Sequence, residues 1–209
     1  MGLEKGKKYK YYEIKVTVRD THPPVWRRLQ IPSGITFHEL NAIIQLAFDW
    51  CGYHMYDFEV GATLHEEGIF IELPNPDNDF WHETKNSKKE KIDKYFEKYK
   101  TMKYTYDFGD NWIHDIKIEK VVETDVKFEN PICIKAKMAE LPEDCGGTWG
   151  YEELLDILAD KKHPRYKEMK EWIENGYFTW HDDRTYVNLD EINERMEDYK
   201  EHAKFILGD

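Results

Sequence analysis

Apolar and polar residues alternate over residues 9–19: Tyr12, Ile14, Val16 and Val18 share one side, and Glu13, Lys15, Thr17 and Arg19 the other. A period of two predicts a half-buried strand. The corner His22-Pro23-Pro24 ends it, and residues 25–31 resume the alternation, with Arg27 set among Val25, Leu29 and Ile31. If that side is covered, Arg27 must pair with a carboxylate or stack on an aromatic ring, and a structural ion pair outweighs an anion site. Strand, corner and strand predict an antiparallel pair.

The period then changes. Thr36 and Glu39 have the spacing of a capping box, and Ile35 can staple onto Leu40. Phe37, Leu40, Ile44 and Ala47 follow helical spacing, joined by Ile43 and Trp50, and Gly52 is the natural stop. Residues 53–61 return to strand period through His54, Tyr56, Phe58 and Val60, which makes His54 a core histidine before it is a ligand. Residues 74–87 are rich in turn formers and predict a surface loop. A second capping box, Ser87 with Glu90, predicts a helix carrying Ile92, Tyr95, Phe96 and Tyr99. A strand is expected over 131–138, and helices over 149–159, 164–175 and 189–206, the last headed by Asn188 and Glu191. The fold class is therefore α+β. Residues 1–138 form a largely antiparallel or mixed sheet with a packed helix, a roll-like strand-strand-helix-strand start; residues 139–209 form a helical portion packed on it.

Between these blocks lies YTYDFGDNWIHD, residues 104–115. Its Asp-Phe-Gly is not a kinase motif, because no His-Arg-Asp loop accompanies it. Two strongly β-forming runs flank Gly109-Asp110-Asn111, which predicts a hairpin with a three-residue loop whose Asn111 takes the left-handed conformation. Phe108 then opposes Trp112, Tyr106 opposes His114, and Tyr104 opposes Ile116. The aromatic rings and His114 share one face. Asp107 and Asp115 share the other as diagonal neighbours, roughly 7 to 8 Å apart. Two such acids can bind a divalent cation or act as an acid/base pair. Asp107 and Asp115 are thus the candidate catalytic residues, and with His54 the candidate metal ligands; the ordinary alternative is that both acids bond loop backbone or face solvent.

PEDCGGTWGYEELLDIL, starting at Pro142, places Cys145 and two glycines before a helix. A helix N-terminus lowers a thiol pKa, but Glu143 and Asp144 oppose the effect. A Gly-Gly turn with Thr148 capping the helix and Trp149 anchoring it outweighs an activated cysteine.

Charge narrows the choice of partner. The net charge is −12, and residues 139–209 alone carry 9 basic and 19 acidic groups. Such a surface repels a duplex, so direct nucleic-acid binding is not expected, and only the basic residues of an 88–103 helix could support it. Three cysteines, Cys51, Cys133 and Cys145, lack CxxC spacing and indicate reduced thiols. No long apolar run and no signal-peptide core is present, so no membrane association and a cytoplasmic location are expected.

PPVWRRLQIP, TFHELNAIIQLAFDW, YHMYDFEVG, YTYDFGDNWIHDIKIEK and PEDCGGTWGYEELLDIL, in that order, closely resemble the plasmid Ri open-reading-frame-three-like family over residues 9–175. The resemblance implies an α+β domain of unestablished function, found in plasmid and mobile-element contexts. Some members carry a resolvase label. Serine-recombinase chemistry needs a nucleophilic serine amid arginines, whereas the two serines here, Ser33 and Ser87, are explained by a turn and a cap. Where many members have a further cysteine, this chain has Glu140-Leu141.

The reading that follows is a binding or interaction module with a protein partner and no cofactor, a divalent metal aside. The alternative is a small metal-assisted hydrolase or nuclease-like enzyme using Asp107 and Asp115.

Overall fold

The computed structural model describes residues 8–64, 66–74 and 84–206. Among these residues the sheet has eight strands. They are β1 (Tyr9–Val18), β2 (Trp26–Pro32), β3 (Tyr56–Val60), β4 (Ile69–Glu72), β5 (Thr84–Asn86), β6 (Thr101–Tyr106), β7 (Trp112–Thr124) and β8 (Ile132–Lys137). The order across the sheet is β5-β4-β3-β6-β7-β1-β2-β8. Every pairing is antiparallel except β4 with β5, so the sheet is mixed and the α+β class holds. Tyr12, Ile14, Val16 and Val18 are buried, as the alternation requires.

The helix α1 (Phe37–Phe48) starts on the expected capping box: Glu39 N donates to Thr36 Oγ1, and Thr36 N donates to the Glu39 carboxylate. Such a cap stabilises by about 1 kcal/mol. The helix ends earlier than expected, because Asp49 already takes the left-handed conformation at its C-cap; Trp50 and Gly52, itself at φ +76, lie beyond it. α1 is buried nearly all round, against α5 (Leu189–Met196) and α6 (Tyr199–Phe205) on one side and the sheet on the other. Its polar residues are matched: Tyr104 Oη donates to Asn41 Oδ1 and accepts from Gln45 Nε2. The helical C-terminal portion is completed by α3 (Gly147–Ala159) and α4 (Tyr166–Glu174).

Several local expectations fail. Ser87 does not open a long helix: its hydroxyl bonds Tyr56 Oη, Glu90 takes Tyr95 Oη, and α2 spans only Asp93–Phe96. The predicted helix over 88–103 is thus reduced to that single turn, and residues 101–103 already belong to β6. Of the predicted 74–87 loop, residues 75–83 lie outside the described residues, and 84–86 form β5, a parallel edge strand. The predicted 189–206 helix is two helices, and Asn188 caps α5 through Asp190 N.

Arg27 is fully buried and meets both expected needs. Its guanidinium lies 4.0 Å from Glu140 and stacks 4.9 Å from the Phe48 ring centroid, while donating to the carbonyls of Trp26, Ala47, Lys137 and Met138. Burial pulls its pKa down to about 10.

Candidate functional site

The hairpin of β6 and β7 is slipped by two residues from the expected register. Tyr106 pairs with Trp112, Tyr104 with His114, and Met102 with Ile116, so the loop is 107–111. A slip of two preserves side-chain parity. The aromatic face therefore survives: Trp50 packs against Tyr106, Trp112 and His114, and Phe48 and Tyr104 also pack on His114. Phe108, left outside the ladder, is 43% exposed.

The slip changes the chemistry of the two acids. Asp107 is not a strand residue: at φ +54 it begins the loop, donates its N–H to Met55 O on the approach to β3, and accepts Gly109 N on its own Oδ1. Its side chain turns toward His54. Asp115 stays on the solvent face of β7, where Arg19 Nη2 holds it at 2.5 Å. The structure therefore does not bring Asp107 and Asp115 together as diagonal neighbours.

It brings Asp107 to two other groups. His54 lies in the loop before β3, not on its apolar face, and is partly exposed. Its Nε2 is 3.6 Å from Asp107 Oδ2 and 2.9 Å from Asp144 Oδ1, and the three atoms lie within 4.8 Å of one another. Asp144 comes from the Pro-Glu-Asp-Cys segment and is half exposed; its other oxygen accepts Tyr53 Oη at 2.5 Å. Among the described residues, no lysine or arginine pairs with Asp107 or Asp144. Arg165, which shares a cavity of about 160 Å³ with Asp144, is held by Glu153 and Glu168.

Three chain segments fix this corner. Glu143 accepts Tyr106 Oη at 2.6 Å and Cys51 N at 2.7 Å, and Trp50 Nε1 donates to Leu141 O at 2.7 Å. Burial raises the Glu143 pKa against both of those hydrogen bonds. The hairpin tip docks on the start of α3: Gly146 N donates to Asp110 Oδ2, and a Cβ on Gly147 would stand 2.0 Å from Asp110 O. Thr148 makes no cap; Gly146 holds that position. Cys145 is not activated, since burial, reinforced by Asp110, pushes its thiol up to about 12. All three cysteines are free.

Two ligand atoms about 2.1 Å from one ion stand about 3.0 to 3.4 Å apart at right or tetrahedral angles. The separations of 2.9 and 3.6 Å from His54 bracket that range, and the two carboxylate oxygens lie within 4.8 Å of each other. Sequence reading named His54 and Asp107 and missed Asp144. The only available signal was that its motif, like theirs, mixes acids with glycine or aromatic residues.

An eight-stranded mixed sheet wrapped on a buried helix, with an imidazole and two carboxylates at one corner, defines an α+β protein with a pre-formed polar site. The chain belongs to the plasmid pRiA4b ORF-3-like protein family, which matches residues 10–190. It is 31% identical over 187 residues to the uncharacterized protein y4hQ of Sinorhizobium fredii, covering 88% of this chain and 90% of that protein. Its fold is similar to the crystal structure of MM3350, a protein of unknown function from Methanosarcina mazei Go1, at a TM-score of 0.74 and 34% identity; the match covers 88% of this chain and 97% of that one. No helix among the described residues is long and apolar enough to cross a membrane.

Proposed function

We propose that the protein is a binding module whose recognition corner holds a divalent cation on His54 Nε2, Asp107 Oδ2 and Asp144 Oδ1. The carrying observation is the convergence of these three atoms within 4.8 Å from three separate segments. Two carboxylates without a lysine or arginine partner leave negative charge that a cation offsets. One nitrogen and two oxygens suit zinc or manganese better than an all-oxygen magnesium or calcium site. Three protein ligands leave further positions open, and half-exposed Asp144 sets them toward solvent. Tyr53, Phe108 and Trp149, exposed by 52%, 43% and 87%, lie on the same three segments and offer apolar contact to a protein partner.

Calorimetric titration with zinc and with manganese tests this. Asp107→Asn and Asp144→Asn should each weaken binding by roughly tenfold or more, and Asp115→Asn should leave it unchanged. Equal affinity in the wild type and in the Asp107→Asn/Asp144→Asn double variant sinks the site. The open coordination positions also favour a second reading, metal-assisted hydrolysis at His54, Asp107 and Asp144. Turnover of activated phosphate or carboxylate esters by the metal-loaded protein, lost in Asp107→Asn, is its signature.

A further inference from the structure

The solvent face of the sheet carries a groove of about 1020 Å³ that the metal corner does not use. Its floor comes from the outward positions of β1, β6 and β7, and its walls from residues 61–63, Glu66 and residues 98–100. In a protein of net charge −12 this lining is basic: Lys15, Arg19, Lys98, Lys100, Lys103 and Lys117 face Glu59, Glu66 and Asp115. Arg19 is neutralised by Asp115, and Lys103 by Glu59 at 2.6 Å. Among the described residues, Lys15, Lys98, Lys100 and Lys117 form no ion pair, and Glu66 is the one acid of the lining left to face them.

The register sharpens this imbalance. Lys15 of β1 stands directly opposite Lys117 of β7, and on its other side opposite Arg28 of β2. Like charges opposed across a ladder are destabilising. Arg28 forms a bidentate pair with Glu119, whose charge Lys15 and Lys117 also share without a direct ion pair, and the Lys15 ammonium lies 4.7 Å from the Trp26 ring centroid. Three cations held together by strand pairing share the single charge of Glu119, and the excess positive charge suits an anionic occupant.

We propose that this groove docks an acidic protein segment, with Asp or Glu side chains reaching Lys15, Lys98, Lys100 and Lys117. Three features favour carboxylates over a nucleic-acid backbone. Bidentate phosphate recognition uses arginine, and the one arginine of the lining is already spent on Asp115. Single-stranded nucleic acid needs stacking platforms, and Tyr99, the one aromatic residue of the lining, packs on Gly61, where an added Cβ would meet its ring at 2.6 Å. The net charge opposes a long polyanion more than a short peptide.

The test is fluorescence anisotropy of a labelled oligoglutamate peptide on the full chain, with oligothymidylate of equal length as competitor. Binding is expected at low ionic strength, weakening by about tenfold or more on going to ~0.15 M salt. Lys100→Glu/Lys117→Glu should reduce it by at least about tenfold, Lys100→Gln/Lys117→Gln by less, and Lys161→Glu/Lys162→Glu, outside the groove, should leave it intact. Chelator should have no effect, which separates this surface from the metal corner. No binding at low salt, equal loss in the 161/162 variant, or tighter binding of oligothymidylate overturns the proposal.

Discussion

Gly147→Ala tests whether the hairpin tip and the start of α3 are locked together. Gly147 has φ +68, so any side chain costs about 1 to 2 kcal/mol from backbone conformation alone. In addition, the new Cβ would stand 2.0 Å from Asp110 O and 3.1 Å from its carbonyl carbon. Backbone atoms cannot rotate aside as a side chain can, so overpacking adds about 1 to 3 kcal/mol. The expected destabilisation is about 2 to 5 kcal/mol. Gly34→Ala is the matched control: its φ is +79, but nothing lies within 4 Å of the added atom, so only the conformational part applies. The entropic gain in the unfolded chain, about 0.4 to 1 kcal/mol, is common to both and cancels in the comparison. Urea unfolding of wild type and both variants, at unchanged slope, reads the difference. Because the clash displaces the loop that carries Asp107, Gly147→Ala should also weaken zinc binding, while Gly34→Ala should not. Equal destabilisation by the two substitutions would refute the interlock.

Two further outcomes follow from buried charge. His114 is fully buried among rings, and desolvation lowers its pKa from about 6.5 to about 4, so the unfolded chain takes up a proton that the folded chain refuses. The wild type should therefore lose about 3 kcal/mol relative to His114→Gln as pH falls from 7 to 4; urea unfolding at several pH values checks this, and taking the difference between proteins cancels Glu72 and Glu143, whose burial-raised pKa values act in the opposite sense. Arg27→Met strands four carbonyls and should cost about 3 to 5 kcal/mol, whereas Arg28→Met, losing a partly exposed pair with Glu119, should cost about 1 kcal/mol or less; similar losses by thermal unfolding would contradict the buried network.

What sequence determines here is what short-range geometry determines. The alternation of Tyr12, Ile14, Val16 and Val18 fixes which side of β1 is inside, because consecutive strand residues point to opposite faces. Thr36 and Glu39 start α1 because the cap bonds span three residues. Parity also placed His114 with the aromatic rings. It could not choose between registers two residues apart, since both keep the same faces. That choice falls to distant partners. Met55 O takes the Asp107 N–H and Asp110 docks on the glycines before α3, which makes Asp107 a loop residue and parts it from Asp115. Ser87 carries the same local signature as Thr36, yet Tyr56, far along the chain, claims its hydroxyl and no long helix forms. The candidate site is decided in the same way: His54, Asp107 and Asp144 are separated by tens of residues, and only closure of the sheet on α3 sets their ligand atoms within 4.8 Å.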